Sequence, residues 1–300
     1  MSGVGPALHE DWPIADVQGQ HLSAPRQHAL LTSDFQASGI DPGRFGFYDQ
    51  PAFLAREHAN PGYRARYAEW VATRPLSPGY EAHVRATVPR LAHLLATTFA
   101  AHDAQCRCLA ATAMMTRMLD RLGVWSFGLL GSVIIEAPAQ GLRRALHTVD
   151  FKSGPRGVAG HAWVVAPPFL IVDPSLALQR WEPVVGPLIP DVVLANSQAP
   201  VVQPRVEDCI SERVREMFAR AEGWHDPALH YRLDLRLGEF LRTFPARDVV
   251  MPDMRMRFVP VTIEQSCETL ARIKLYGEGP SGRAIWNSIV VPAFAMEPLP

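Results

Sequence analysis

Three side chains that together could run thiol acyl transfer occur in this chain in the order Cys108, His161, Asp173. A cysteine is a strong nucleophile only as the thiolate, so it needs a lowered pKa, and the unpaired N–H groups and positive potential at a helix N-terminus supply one. Residues 108–122 predict such a helix. Ala111, Met115, Met118 and Leu122, with Ala110, Met114 and Leu119 beside them, form a broad apolar face, and Gly123 is the usual stop. The same spacing leaves Thr112, Thr116, Arg117, Asp120 and Arg121 as a wet stripe. Gln105, Cys106 and Arg107 precede Cys108 without helical patterning, and Arg107 adds positive charge. The competing reading of Cys108 is a small buried hydrophobe.

His161 and Asp173 fall on two short strands, 160–166 and 169–173, joined through Pro167 and Pro168. Antiparallel pairing about Pro167 sets Val165 against Phe169, Val164 against Leu170 and Trp163 against Ile171. His161 then lies directly opposite Asp173, at about 4.5–5.5 Å between Cβ atoms, where a carboxylate holds an imidazole in one tautomer. A one-residue slip would separate them onto opposite faces. Trp163 shares the face of His161 and is expected to shield the pair from water. The competing reading is a cross-strand pair that only ties the hairpin together.

Cys, His and Asp are the nucleophile, base and orienting group of thiol acyl transfer. The run from Cys108 through Met115, Met118 and Leu122 to Gly123 and Val124 resembles the nucleophile helix of the transglutaminase-like superfamily. Gly160-His161-Ala162-Trp163-Val164-Val165 is similar to that superfamily's His-Ala-Trp-Val strand, and Ile171-Val172-Asp173-Pro174-Ser175 to its Val-Asp-Pro-Thr strand. The resemblance covers about residues 87–175. It implies a papain-like α+β core with the cysteine helix packed on an antiparallel sheet, Cys108 as nucleophile, His161 as general base and acid, and Asp173 as its orienting residue. Two positions depart from the pattern: Cys106 stands where relatives have Gly, and Ala110 where they often have an acid. Gln105, Cys106 and Trp163 are carried as supporting residues, with Cys106 either a redox partner, the true nucleophile, or neutral. The Arg-Gly-Gly-x-Cys signature of the arylamine acetyltransferases is absent.

The expected activity is hydrolysis or acyl transfer on peptide or protein amides, by a peptidase, amidase or deamidase. Crosslinking of the transglutaminase type, transfer to a small amine, and an inactive binding module of the same fold are the alternatives. No cofactor or metal is expected.

The rest of the chain must position these groups. Three hundred residues allow two domains or one elaborated domain. With 48% hydrophobic residues, 20% charged and a net charge of -1, the composition argues against disorder and against a nucleic-acid partner. No apolar run reaches the roughly 20 residues that span a bilayer, so no membrane partner is expected. Residues 1–20 lack an apolar core of the secretory type, which predicts a cytoplasmic protein. Cys106, Cys108, Cys209 and Cys267 form no CxxC pair. Lys152 and Lys274 are the only lysines beside 27 arginines, a bias that GC-rich codons explain and that a lysine-directed acyl acceptor would also favour.

Residues 1–75 read as an irregular arm over the first 40 residues followed by a helix at 61–74, residues 76–200 as the catalytic core, and residues 201–300 as a helical and β cover. A helix containing Val84, Val88, Leu91 and Leu95 carries Pro89 as a kink or in its first turn. Strands are predicted over 124–136, with Gly128 and Gly131 as bulges, more weakly over 145–151, and over 254–263. Helices are predicted over 206–221 and 226–242. This order is α+β, without βαβ alternation.

Overall fold

The computed structural model describes residues 23–150, 160–264, 266, 268–275 and 279–300. The chain is α+β, built on a 7-stranded antiparallel sheet. Its strands are β1 Phe127–Ala137, β2 Leu142–Leu146, β3 His161–Ala166, β4 Phe169–Asp173, β5 Val193–Asn196, β6 Arg247–Val250 and β7 Arg255–Ile263. The order across the sheet is β5-β4-β3-β1-β7-β6, with β2 also on β1. Strand β1 is therefore central. One edge pairs with β7, and the other is shared between β3 near Phe127 and β2 near Ala137. Among the described residues no helix is long and apolar enough to cross a membrane.

The two faces of the sheet bury different cores, because alternate residues of a strand point to opposite sides. Helices α4 (Pro78–Ala101) and α5 (Cys108–Arg121) cover one face, packing Leu91, Leu95, Met114 and Met118 with Val164 and Val172. The other face carries Phe127, Leu129, Trp163, Val165 and Phe258. Helix α4 starts at Pro78, earlier than the apolar spacing suggests, because Ser77 accepts the Tyr80 N–H as cap and Pro78 needs no N–H partner there. Pro89 lies inside the helix, which continues through it.

The N-terminal region corrects the sequence reading. Residues 24–37 form α1 (Ala24–Ala37) rather than an irregular arm; α2 (Pro51–Ala59) and α3 (Arg64–Ala72) follow, the last inside the 61–74 expectation. Phe47 joins them, with ring centroids 5.1 Å from Phe35, 5.0 Å from Tyr67 and 5.2 Å from Trp70. These scattered aromatics close a core that has no simple helical period, which hides it from pattern reading. Residues 1–22 lie outside the described residues, as do 151–159, which hold the end of the expected 145–151 strand, and Cys267.

The C-terminal region also departs from a cover. It supplies β7, which pairs directly with β1, and the edge strand β6, so the sheet is not confined to residues 76–200. Each of the two predicted helices is split, into Val206–Cys209 (α6) and Glu212–Glu222 (α7), and Leu229–Leu233 (α8) and Leu237–Thr243 (α9). At the first break Ile210 is fully buried and the Ser211 N–H donates to the Val149 carbonyl. At the second, the Asp234 side chain accepts the Arg236 N–H, a local bond that competes with the helix. Gly131 does mark a bulge, where the β1–β7 register shifts.

The expected wet stripe of α5 is largely covered. Thr112, Thr116 and Arg117 are buried, Thr112 against Gly128 of β1 and Arg117 against Tyr48 and Asp49 of the N-terminal segment. Arg117 forms an ion pair with Asp49, and the Tyr48 hydroxyl donates to Asp120. Burial pushes the Asp120 carboxyl up to about 7, against the Tyr48 hydrogen bond and the Arg117 charge, which favour the carboxylate. The folded chain therefore holds this proton more tightly than the unfolded chain, whose carboxyl titrates near 3.8. This contribution to stability is present at acid pH and lost as pH rises through about 7. Asp120→Asn is expected to flatten the fall in urea midpoint between about pH 4 and about pH 7; an unchanged slope would contradict it.

Candidate active site

Cys108 is the first residue of α5. Arg107 precedes it at φ -111 and ψ 30 and no side chain caps the helix, so first-turn N–H groups are left without a capping acceptor beside the thiol. Burial pushes the Cys108 thiol up. The charge and hydrogen bond of His161 and the backbone N–H of Ala162 outweigh burial and bring it below the ordinary value. Cys108 is 9% exposed, at the boundary between buried and reachable.

His161 opens β3, and it and Asp173 are both fully buried. The two side chains meet at 2.6 Å between His161 Nε2 and Asp173 Oδ2. With Nε2 occupied, Nδ1 is the nitrogen left for Cys108; Nδ1 makes no hydrogen bond of standard geometry, so that approach is loose. Burial lowers the imidazole pKa, but Asp173 and Cys108 together raise it well above the ordinary histidine value. A lowered thiol beside a raised imidazole is the electrostatic condition for a thiolate–imidazolium pair.

Asp173 is itself held. Its Oδ1 accepts the Ser175 backbone N–H at 2.9 Å and the Ser175 hydroxyl at 3.0 Å, leaving Oδ2 for the imidazole. Ser175 was not singled out from the sequence as a site residue. The signal was present in Asp173-Pro174-Ser175, since an Asp two residues before a Ser is a common arrangement for such a turn.

The strand register corrects the predicted hairpin. Val164 pairs with Val172 and Ala166 with Phe169, with a shift between them, so His161 is not directly opposite Asp173. The Val164–Val172 register is displaced by two residues from the expected one. An even displacement keeps the two side chains on the same face, and the diagonal pair still closes. Two glycines allow the approach of the elements. A Cβ on Gly128 would lie 2.7 Å from Thr112 Cγ2, so the glycine lets α5 settle on β1. Gly160, at φ +94, turns the chain into β3 where a Cβ would meet the Gly131 carbonyl oxygen at 2.5 Å.

The supporting residues separate. Trp163 is buried in the core on the sheet face away from α5, its ring edge-on to Phe258 at 5.2 Å between centroids. Gln105 is exposed and its side-chain amide donates to Asp103 at 3.0 Å. Cys106 is exposed, and its backbone N–H donates to the Leu178 carbonyl at 3.1 Å. It adopts φ 56, the left-handed region that favours glycine. Among the described residues no three His, Cys, Asp or Glu side chains converge as a metal-binding group.

Comparison with protein-family models, with curated proteins and with solved structures returns no match for this chain.

The Cys106 backbone generates a direct prediction. A left-handed conformation costs a residue with a Cβ about 1–2 kcal/mol relative to glycine. Cys106→Gly is expected to stabilise the fold by about 1 kcal/mol in urea unfolding, after the added entropy of the unfolded glycine, whereas Cys106→Ala gives no such gain. Equal stabilities of the two variants would contradict this reading.

Proposed function

We propose that the chain is a cysteine-dependent enzyme of the transglutaminase-like, papain-like type, acting on peptide or protein amides. The observation that carries this reading is the convergence on one sulfur of a helix start, the Ala162 N–H and a histidine whose far nitrogen is held by a buried carboxylate.

In the proposed reaction the Cys108 thiolate attacks the amide carbonyl carbon, forming a C–S bond and moving the carbonyl electron pair to oxygen. In this reading the Cys108 backbone N–H stabilises that oxyanion. The tetrahedral adduct collapses, the C–N bond breaks, and protonated His161 gives its Nδ1 proton to the leaving amine. Neutral His161 then takes a proton from water as the water attacks the thioester, and the thiolate leaves with the imidazolium restored. Asp173, fixed by Ser175, keeps the ring oriented through both halves. Transfer to an amine instead of water follows the same course, and the exclusion of water at the mouth of the site decides between them. Hydrolysis is the preferred reading.

Iodoacetamide labelling with peptide mapping tests the activated thiol. At about pH 6 a thiolate–imidazolium pair reacts while an ordinary thiol is largely protonated. Cys209 is an internal control, because it is buried and burial pushes its thiol up to about 12. Cys108 is expected to label well before Cys209, and His161→Ala to slow Cys108 labelling at about pH 6 to the rate of an ordinary thiol. Equal labelling of the two cysteines in the unsubstituted protein, or a Cys108 rate unchanged by His161→Ala, would sink the enzyme reading.

A further inference from the structure

On the sheet face turned away from α5, a cavity of about 360 Å³ opens between β1, β3, β4 and the segment after α9. Leu129, Trp163, Val165, Ile171, Phe244 and Phe258 give it apolar walls. Its size falls in the range of small-molecule sites, roughly 300–1,000 Å³. Among the described residues two charged side chains line it, Arg74 and Arg247, and no acidic residue does.

Those two arginines differ from the buried arginines elsewhere in the chain. Arg64 pairs with Glu57, Arg117 with Asp49, and Arg257 with Asp208 and Asp248. Arg74 instead stacks its guanidinium 5.2 Å from the ring centroids of Trp70 and Trp125, and its Nε is buried without a hydrogen-bond partner. Arg247 donates from Nη1 to the Ala199 carbonyl at 2.6 Å, a neutral acceptor. Burial lowers the pKa of both, and no carboxylate offsets it for either. Half-buried cations are normally matched by an anion. Here the cavity wall offers apolar area and positive charge with no negative partner among the described residues.

We propose that this cavity is a binding site for a small amphiphile with an apolar body and one carboxylate head, of the medium-chain carboxylic acid class. The body would be held by area burial at about 0.8 kcal/mol per methylene, and the head by charge-assisted hydrogen bonds from Arg247 and Arg74. The site is separate from Cys108, which lies at the start of the helix on the other face. It does not depend on the proposed chemistry.

The test is calorimetric titration of the full chain with decanoate, and in parallel with decanol, which has the same body and no charge. Decanoate is expected to bind saturably at one site and at least tenfold more tightly than decanol. Arg247→Met, which keeps an apolar stem, is expected to weaken decanoate at least tenfold and leave decanol unchanged. Absence of saturable decanoate binding, equal affinities for decanoate and decanol, or undiminished decanoate binding by a folded Arg247→Met variant would each overturn the assignment. If that variant fails to fold, the comparison of the two ligands on the unsubstituted protein still decides the matter.

Discussion

Everything at the candidate site depends on how closely the first turn of α5 approaches the first residues of β3. The Cys108 sulfur receives the Ala162 N–H and faces His161, and neither interaction survives if the helix rides higher on the sheet. Side-chain volume sets that approach. Gly128 removes the atom that would push against Thr112 on α5, and Gly160 removes the atom that would push β3 off the Gly131 carbonyl. Close packing then does the rest, because a core at crystal-like density leaves little room for the helix to drift. Met114, Met118 and Val164 fill the interface on this side.

The opposite side of α5 carries a different kind of restraint. Arg117 is buried, and it and Asp120 find partners in Asp49 and Tyr48 of the N-terminal segment. Buried polar groups cost free energy unless satisfied, so these contacts fix the rotation of the helix about its axis in a way that an apolar face alone would not. The aromatic cluster around Phe47 anchors that segment in turn. The N-terminal helices thus act on the site through the helix that presents the cysteine.

Much of the site is legible in the sequence because its signals are local. The period of Ala111, Met115 and Met118 and the stop at Gly123 define α5, and its start at Cys108 follows. The His161–Asp173 pair is legible through face parity, which is why it survives a hairpin register displaced by two residues. Other features are set by tertiary partners and leave weak traces. The Phe47 cluster joins residues far apart in the chain without a regular spacing. Helices 206–221 and 226–242 are periodic in sequence, yet Ile210 turns into the core and Asp234 bonds the backbone instead. The short strands β5 and β6, of four residues each, are too brief for a pattern, and only the sheet gives them meaning. Cys106 occupies the left-handed backbone position that glycine accommodates most easily, which no sequence period signals.

The central claim is that Cys108 forms a covalent acyl intermediate with help from His161. Its most direct measurement is the pre-steady-state reaction with the activated ester p-nitrophenyl acetate, followed by nitrophenol release and by the intact mass of the quenched protein. The expected result is a burst of one equivalent of nitrophenol, with one acetyl group mapped to Cys108, absent in Cys108→Ala and greatly slowed in His161→Ala. A burst that persists in Cys108→Ala, or an acetyl group carried on another residue, would contradict it.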